Sequence, residues 1–321
     1  MRKAINTEHI EGRIYQHDLA EKTVQNQQSA NFGKSFIAGN LDIAVDEEGL
    51  NVLQVHFTYV TETTKSGGKN STYTALKKII DEGKAWITDG KDAATKVKID
   101  TALALNDFYT QDDTLVSVKT NEGGFVTIVT ELCNENERNT FSTDMLITTV
   151  TGVEADEEKN IEEPYVSVRG FIFNFRNDIL PVEFIVRNQA GMKYFMDLDA
   201  TQAEPVYTKV WGKINCTTTM VEKTEESAFG EAAVKTYEKK SKEWTITGTA
   251  KIPYDFDDDN ILTREEVTKA CQDREVMLAE KKKQRDEWQA SKVSAQASAF
   301  AGGAMNAPTS EAPAKKGGFQ F

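Results

Sequence analysis

The chain has 321 residues, a formal net charge of −13 and a pI near 4.9. That balance excludes a protein that coats nucleic acid by bulk charge, but not one that gathers its cations in a groove. No apolar run approaches the roughly 18–20 residues that span a bilayer. The opening MRKAINTEHIEGRIYQ has no apolar stretch of the secretion-signal kind, so a cytoplasmic protein is expected.

The first 150 residues read mainly as strand. SFIAGNLDIAV (35–45) and GLNVLQVHFTYV (49–60) are rich in β-branched and aromatic residues, with DEEG between them as a turn. In the second run Leu53, Val55, Phe57 and Tyr59 share one face, and Gln54, His56 and Thr58 the other. A glycine loop, TKSGGKNS, leads into TYTALKKIIDEG. There Tyr73, Leu76, Ile79 and Ile80 fall at helical spacing, and Gly83 is placed to end the helix. Strand patterns return in KVKIDTALAL, DTLVSVKT and GFVTIVTEL. The predicted units are an N-terminal β module over 1–152 with an inserted helix, an acidic linker over 153–164 and a second β-rich module over 165–260. Residues 97–129 and 166–198 echo each other in strand-and-turn layout, and duplication is left open.

A helix is predicted over 261–293. Thr263 and Glu266 make a capping box at its start, and Val267, Ala270, Cys271, Arg274, Met277, Leu278 and Lys281 form one stripe. The remaining residues, 294–321, are small, spaced by Gly, Ala and Pro, and end on Phe319-Gln320-Phe321. Such a tail cannot bury enough surface to fold alone, and its terminal rings suit a hook for a partner.

The search for an enzyme returns little. His9, His17 and His56 form no metal-like pair, and no nucleophile elbow or phosphate loop is present. Cys133, Cys216 and Cys271 are far apart, which suits free thiols in a reducing compartment. One loop has ligand spacing: DFDDDNILTREE places Asp255, Asp257 and Asp259 at positions one, three and five, Ile261 at seven and Glu266 at twelve of an EF-hand-like calcium loop. Asn260 stands where that loop takes glycine. Apart from a calcium ion there, no cofactor is expected.

The second module holds the most informative constellation. Read as a strand, PVYTKVWGKI (205–214) sets Tyr207, Lys209, Trp211 and Lys213 on one face and Val206, Val210 and Ile214 on the other. YVSVRGFIFNF (165–175) repeats the design, with Arg169, Phe171, Phe173 and Phe175 opposite Val166, Val168 and Ile172. Arg176, Arg187 and Lys193 follow nearby. Rings alternating with cations suit unpaired bases, which stack on flat side chains while phosphates meet the charges. The same pattern fits a strand buried on both faces, with the cations snorkelling past the rings.

The strand order with a helix after the third strand, the Tyr207/Lys209/Trp211/Lys213 face and the tail ending on Phe321 resemble single-stranded DNA-binding proteins of the OB-fold type, of the kind phages encode. The resemblance implies a mainly β (α+β) chain of one or two OB-like barrels, followed by a long C-terminal helix and a disordered tail. It implies a non-enzymatic role in DNA replication or recombination, in the cytoplasm of a bacterial host, with replication proteins recruited through Phe319 and Phe321. In the bacterial family the tail tip is acidic, whereas this one reads PAKKGGFQF. A β-rich virion assembly protein and a calcium-dependent interaction module stand as alternatives, and homo-oligomers stay open.

Overall fold

Five strands close a ring in the first half of the chain. They are β1 (Asn6–His17), β3 (Ser35–Ala44), β4 (Val52–Thr61), β5 (Lys96–Tyr109) and β6 (Leu115–Ile128), with a short β2 (Ala20–Thr23) added beside β3. In this computed structural model, which describes residues 4–156, 161–225, 233–258 and 260–301, β1 pairs antiparallel with β3 and β5. Strand β3 pairs with β4, β5 pairs with β6, and β4 meets β6 in parallel to shut the ring. Helix α1 (Ser71–Glu82) lies between the third and fourth strands of the ring, followed by the single turn α2 (Trp86–Asp89). This is the five-stranded Greek-key barrel of the OB fold. Asn70 caps α1 by accepting from the Thr72 N–H at 3.1 Å, and Leu76 and Ile79 carry its buried face.

The second half repeats the plan. Strands β7 (Asn139–Val153), β8 (Tyr165–Phe173), β9 (Ile179–Val186), β10 (Val206–Glu225) and β11 (Ala233–Thr249) form another ring. Here β7 pairs with β8 and β10, β8 with β9, β10 with β11, and β9 meets β11 in parallel at Ile185 and Thr245. Helix α3 (Gln189–Met196) again follows the third strand. The first strands of the rings, β1 and β7, pair antiparallel from Asn6 opposite Thr143 to Ile10 opposite Asn139. One sheet therefore runs through both barrels, and one apolar cluster fills them, from Ile10, Phe57 and Leu76 to Phe184, Val210 and Trp244.

Beyond the second barrel, Tyr254, Phe256, Ile261, Leu262 and the start of α4 (Arg264–Ala301) lie over its outer surface. Leu262 seals a second apolar cluster of Leu146, Phe173, Ile179 and Tyr207, with Tyr254, Phe256 and Val267 packed around it. The half-buried stripe of α4 then reaches the first barrel. Arg274 meets Asp107 of β5 at 2.8 Å, Lys282 meets Asp113 at 3.2 Å, and Arg285 also binds Asp113.

The organisation departs from the sequence expectation in four places. Strand β1 lies outside the strand runs expected from the sequence, although Ile10 and Ile14 turn inward along it. Strand β7 belongs to the second ring, so the first module does not extend to 152. The acidic stretch 153–164 is the β7–β8 loop of the second barrel rather than a linker, and within it 157–160 lie outside the described residues. The echo between 97–129 and 166–198 matches strands four and five of one barrel with strands two and three of the other. Any antiparallel hairpin with a polar turn looks alike in sequence, so the true repeat, one full ring against the other, was hidden.

Candidate nucleic-acid interface

The faces of β10 fall as its alternation dictates. Val210 and Ile214 point into the barrel, and Tyr207, Lys209, Trp211 and Lys213 point out. A second layer decides what outward means. Tyr207 is 1% exposed, because Tyr254 packs on its ring at 5.1 Å between centroids and Leu262 shares its apolar cluster. Phe173 on β8 is sealed in the same cluster and Phe171 is half-buried against it. Tyr207 and Phe173 therefore cannot stack on bases, which corrects the sequence reading: a strand pattern reports the face, not what is laid over it. Trp211 remains 40% exposed, its indole seated against Gly248. Lys209 and Lys213 are half-buried. Lys213 reaches Asn139 Oδ1 at 3.4 Å, and burial holds its ammonium below its ordinary range. Gly212 permits this stretch: a Cβ there would lie 1.9 Å from the Thr245 carbonyl oxygen.

The arginines of the second barrel are already engaged. Arg169 meets Glu183 at 3.3 Å, and Arg187 forks onto Glu243 at 3.1 and 2.8 Å while lying over the Tyr165 ring. Glu162 and Glu163 border the same groove. Phe175 is open at 74%, with Arg176 over its ring, and Lys193 is exposed on α3. The strand-two and strand-three face of this barrel is thus covered at one end and acidic at the other.

The equivalent face of the first barrel is open. Tyr59 on β4 is 44% exposed and packs on Phe36 of β3 with centroids 4.6 Å apart. Lys22 on β2 stands directly opposite Phe36, on the same face. Phe32 and Lys34 are exposed in the loop before β3, and Lys65 and Lys69 in the loop after β4. None of these four lysines has an ion-pair partner among the described residues. The face of strands two and three and the loop between strands one and two are where OB barrels take oligonucleotides; the Lys65–Lys69 loop borders that face.

Sequence alternation had put Tyr59 on the core face with Phe57. A bulge reverses it: Gly39 pairs with Phe57 while Ile37 pairs with Val60, so β4 carries one extra residue there and Tyr59 turns outward. Gly39 was the available signal. Its φ of +138° suits glycine, and a Cβ would lie 2.8 Å from the Asp18 carbonyl oxygen.

Among the described residues, the calcium-loop ligands do not converge. Asp257 takes the Arg264 backbone N–H at 2.8 Å and its guanidinium at 2.7 Å. Glu266 serves the cap, accepting from the Thr263 N–H at 3.1 Å, while Ile261 packs on the apolar cluster and Asp255 is exposed. The acids that mimic ligand spacing are thus spent on starting a helix. Asp259, like Phe319 and Phe321, lies outside the described residues.

The sequence profile of the YorF family matches residues 5–284, a span that takes in both barrels and most of α4. The chain belongs to the YorF family. That name carries no activity with it. No curated protein matches the sequence. Among solved structures, a deletion variant of the single-stranded DNA binding protein from Thermus aquaticus is similar at 9% identity and a TM-score of 0.45, covering 80% of this chain and 98% of the other. At that score the strand pairing, not this likeness, defines the fold of the YorF chain. No helix among the described residues is long and apolar enough to cross a membrane.

Proposed function

We propose that the protein binds single-stranded DNA without sequence preference, through the open β3–β4 face of its first barrel. The observation that carries this reading is the stacked pair of exposed Tyr59 and half-buried Phe36 beside Lys22 on the face where OB barrels hold oligonucleotides. Bases stack on the two rings, each contributing about 1–3 kcal/mol. Lys22, Lys65 and Lys69 stand exposed to meet phosphates, Lys34 can join them by leaving Asn31 Oδ1, and Phe32 extends the stacking surface from the loop. Trp211 and Lys213 offer a further contact on the second barrel. Arg169 and Arg187 contribute less, since each would first have to leave a carboxylate.

The role that follows is non-enzymatic: protection and presentation of unpaired strands during replication or recombination, in the cytoplasm of a bacterial cell. Phe319 and Phe321 would recruit a replication partner.

The test is a titration of the full chain with fluorescently labelled oligo-dT, read by anisotropy. Saturable binding that weakens with salt, and that Tyr59→Ala and Phe36→Ala each reduce, is expected. Affinity unchanged in both variants would place DNA elsewhere, and no binding at low salt would end the proposal.

A further inference from the structure

Three side chains that sequence spacing keeps apart meet at the junction between the barrels. His9 and Glu11 share the outer face of β1, two residues apart. Cys133 lies in the connection between β6 and β7. One ligand atom from each lies within 4.8 Å of the other two. His9 Nε2 is 3.3 Å from Glu11 Oε2, and Glu11 Oε1 accepts the Cys133 backbone N–H at 2.6 Å, which fixes the carboxylate against the loop.

Two details go beyond proximity. His9 Nδ1 faces Asp100 Oδ1 of β5 at 3.0 Å. A neutral imidazole has one N–H and one lone pair. With Nδ1 turned to Asp100, Nε2 and Glu11 Oε2 stand 3.3 Å apart as two donor atoms that one cation can bridge, and a His–carboxylate pair behind a ligand is the usual support for a metal-bound histidine. Glu11 itself is 5% exposed. The side chain of Arg138, whose carbonyl takes the Glu11 backbone N–H, is turned to Glu47 at 2.8 Å and to the Cys133 carbonyl at 2.9 Å.

We propose that His9, Glu11 and Cys133 bind one divalent transition-metal ion of the zinc class, with Asp100 orienting His9. The mixed nitrogen, oxygen and sulfur donors select zinc or cobalt over calcium or magnesium. Binding releases the Cys133 thiol proton to solvent and leaves a fourth position for water. The ion ties β1 to the β6–β7 connection, the one chain segment that joins the barrels, and so acts as a clamp on their relative orientation.

The experiment titrates the chelator-stripped full chain with Co²⁺ and follows the thiolate-to-cobalt charge-transfer absorption in the near ultraviolet. One ion per chain is expected, displaced by Zn²⁺, with Zn²⁺ raising the melting temperature and protecting Cys133 from alkylation in peptide mass spectra. Cys133→Ser abolishes the band and Cys271→Ser leaves it intact. Asp100→Asn weakens affinity about 10–100-fold. No band in folded wild-type protein, or alkylation of Cys133 at the same rate with and without Zn²⁺, overturns the proposal without recourse to a variant that fails to fold.

Discussion

The indole N–H of Trp244 on β11 donates to the Glu8 carboxylate on β1 at 2.9 Å, a bond between the barrels that joins residues 236 apart in the chain. The other Glu8 oxygen accepts from the Thr101 hydroxyl at 2.7 Å, and the group is 2% exposed. Burial pushes the Glu8 carboxyl up to about 7 from an ordinary 4.5, against the pull of its two hydrogen bonds and of Lys242.

That shift has a sign. Between pH 4.5 and 7 the native Glu8 keeps its proton while the unfolded chain has lost it. Native protein then binds more protons, so stability falls as pH rises, by about 3 kcal/mol across the window from this group alone. Glu8→Gln keeps an acceptor for Trp244 and cannot ionise. Urea denaturation of both proteins at several pH values should show the variant gaining on the wild type as pH climbs from 4.5 to 8. Parallel stability curves would mean that Glu8 titrates as an ordinary carboxyl.

Two sets of ring variants separate the interface from the core. Tyr59→Ala and Phe36→Ala should each weaken oligo-dT binding by about 1–3 kcal/mol, with a smaller loss of stability than a sealed ring would cause, since Tyr59 is exposed and Phe36 half-buried. Tyr207→Ala should do the reverse. Its ring is sealed beneath Tyr254 and Leu262, and removing a buried aromatic costs about 3–5 kcal/mol of fold stability. Thermal melts beside the anisotropy titrations distinguish the two patterns. A Tyr207 variant that melts like wild type but loses DNA would restore the β10 strip as the interface.

Salt reports the phosphate contacts. On single strands the slope of log affinity against log salt is about −0.7 for each neutralised phosphate. Lys22→Ala and Lys34→Ala should each flatten the slope by about that amount, whereas Arg187→Ala should change it less, since Glu243 already holds that charge. Equal effects of all three would show that the second barrel's groove is also occupied.

Helix α4 is held on the first barrel through Arg274, which is 11% exposed and meets an Asp107 side chain that is 2% exposed. The Ser117 hydroxyl also donates to that carboxylate, at 2.6 Å. Arg274→Ala strands the buried charge, at a cost of about 3–5 kcal/mol. The helix should then come off the β5–β6 hairpin, and limited proteolysis should cut within α4 at protease levels that spare the wild type. Unchanged cleavage would mean that Arg285 and Lys282, which lie over Tyr109 and reach Asp113, suffice to hold it.

Sequence by itself determined the two faces of β10, the helix through Leu76 and Ile79 and the Thr263–Glu266 cap. These rest on periodicity and on hydrogen bonds within a few residues, so local chemistry is enough. It also singled out Trp211 and Lys213 as outward-facing. Only the tertiary structure decided which outward faces stay open. Val210 inward and Tyr207 outward follow from alternation, but the Leu262 segment that covers Tyr207 arrives from more than 50 residues later. The bulge at Gly39 turned Tyr59 from core to surface, because a single extra residue reverses every side chain beyond it. The ring closures, the β1–β7 join and the meeting of His9 and Glu11 with Cys133 depend on pairings between distant strands, and spacing along the chain carries no record of them.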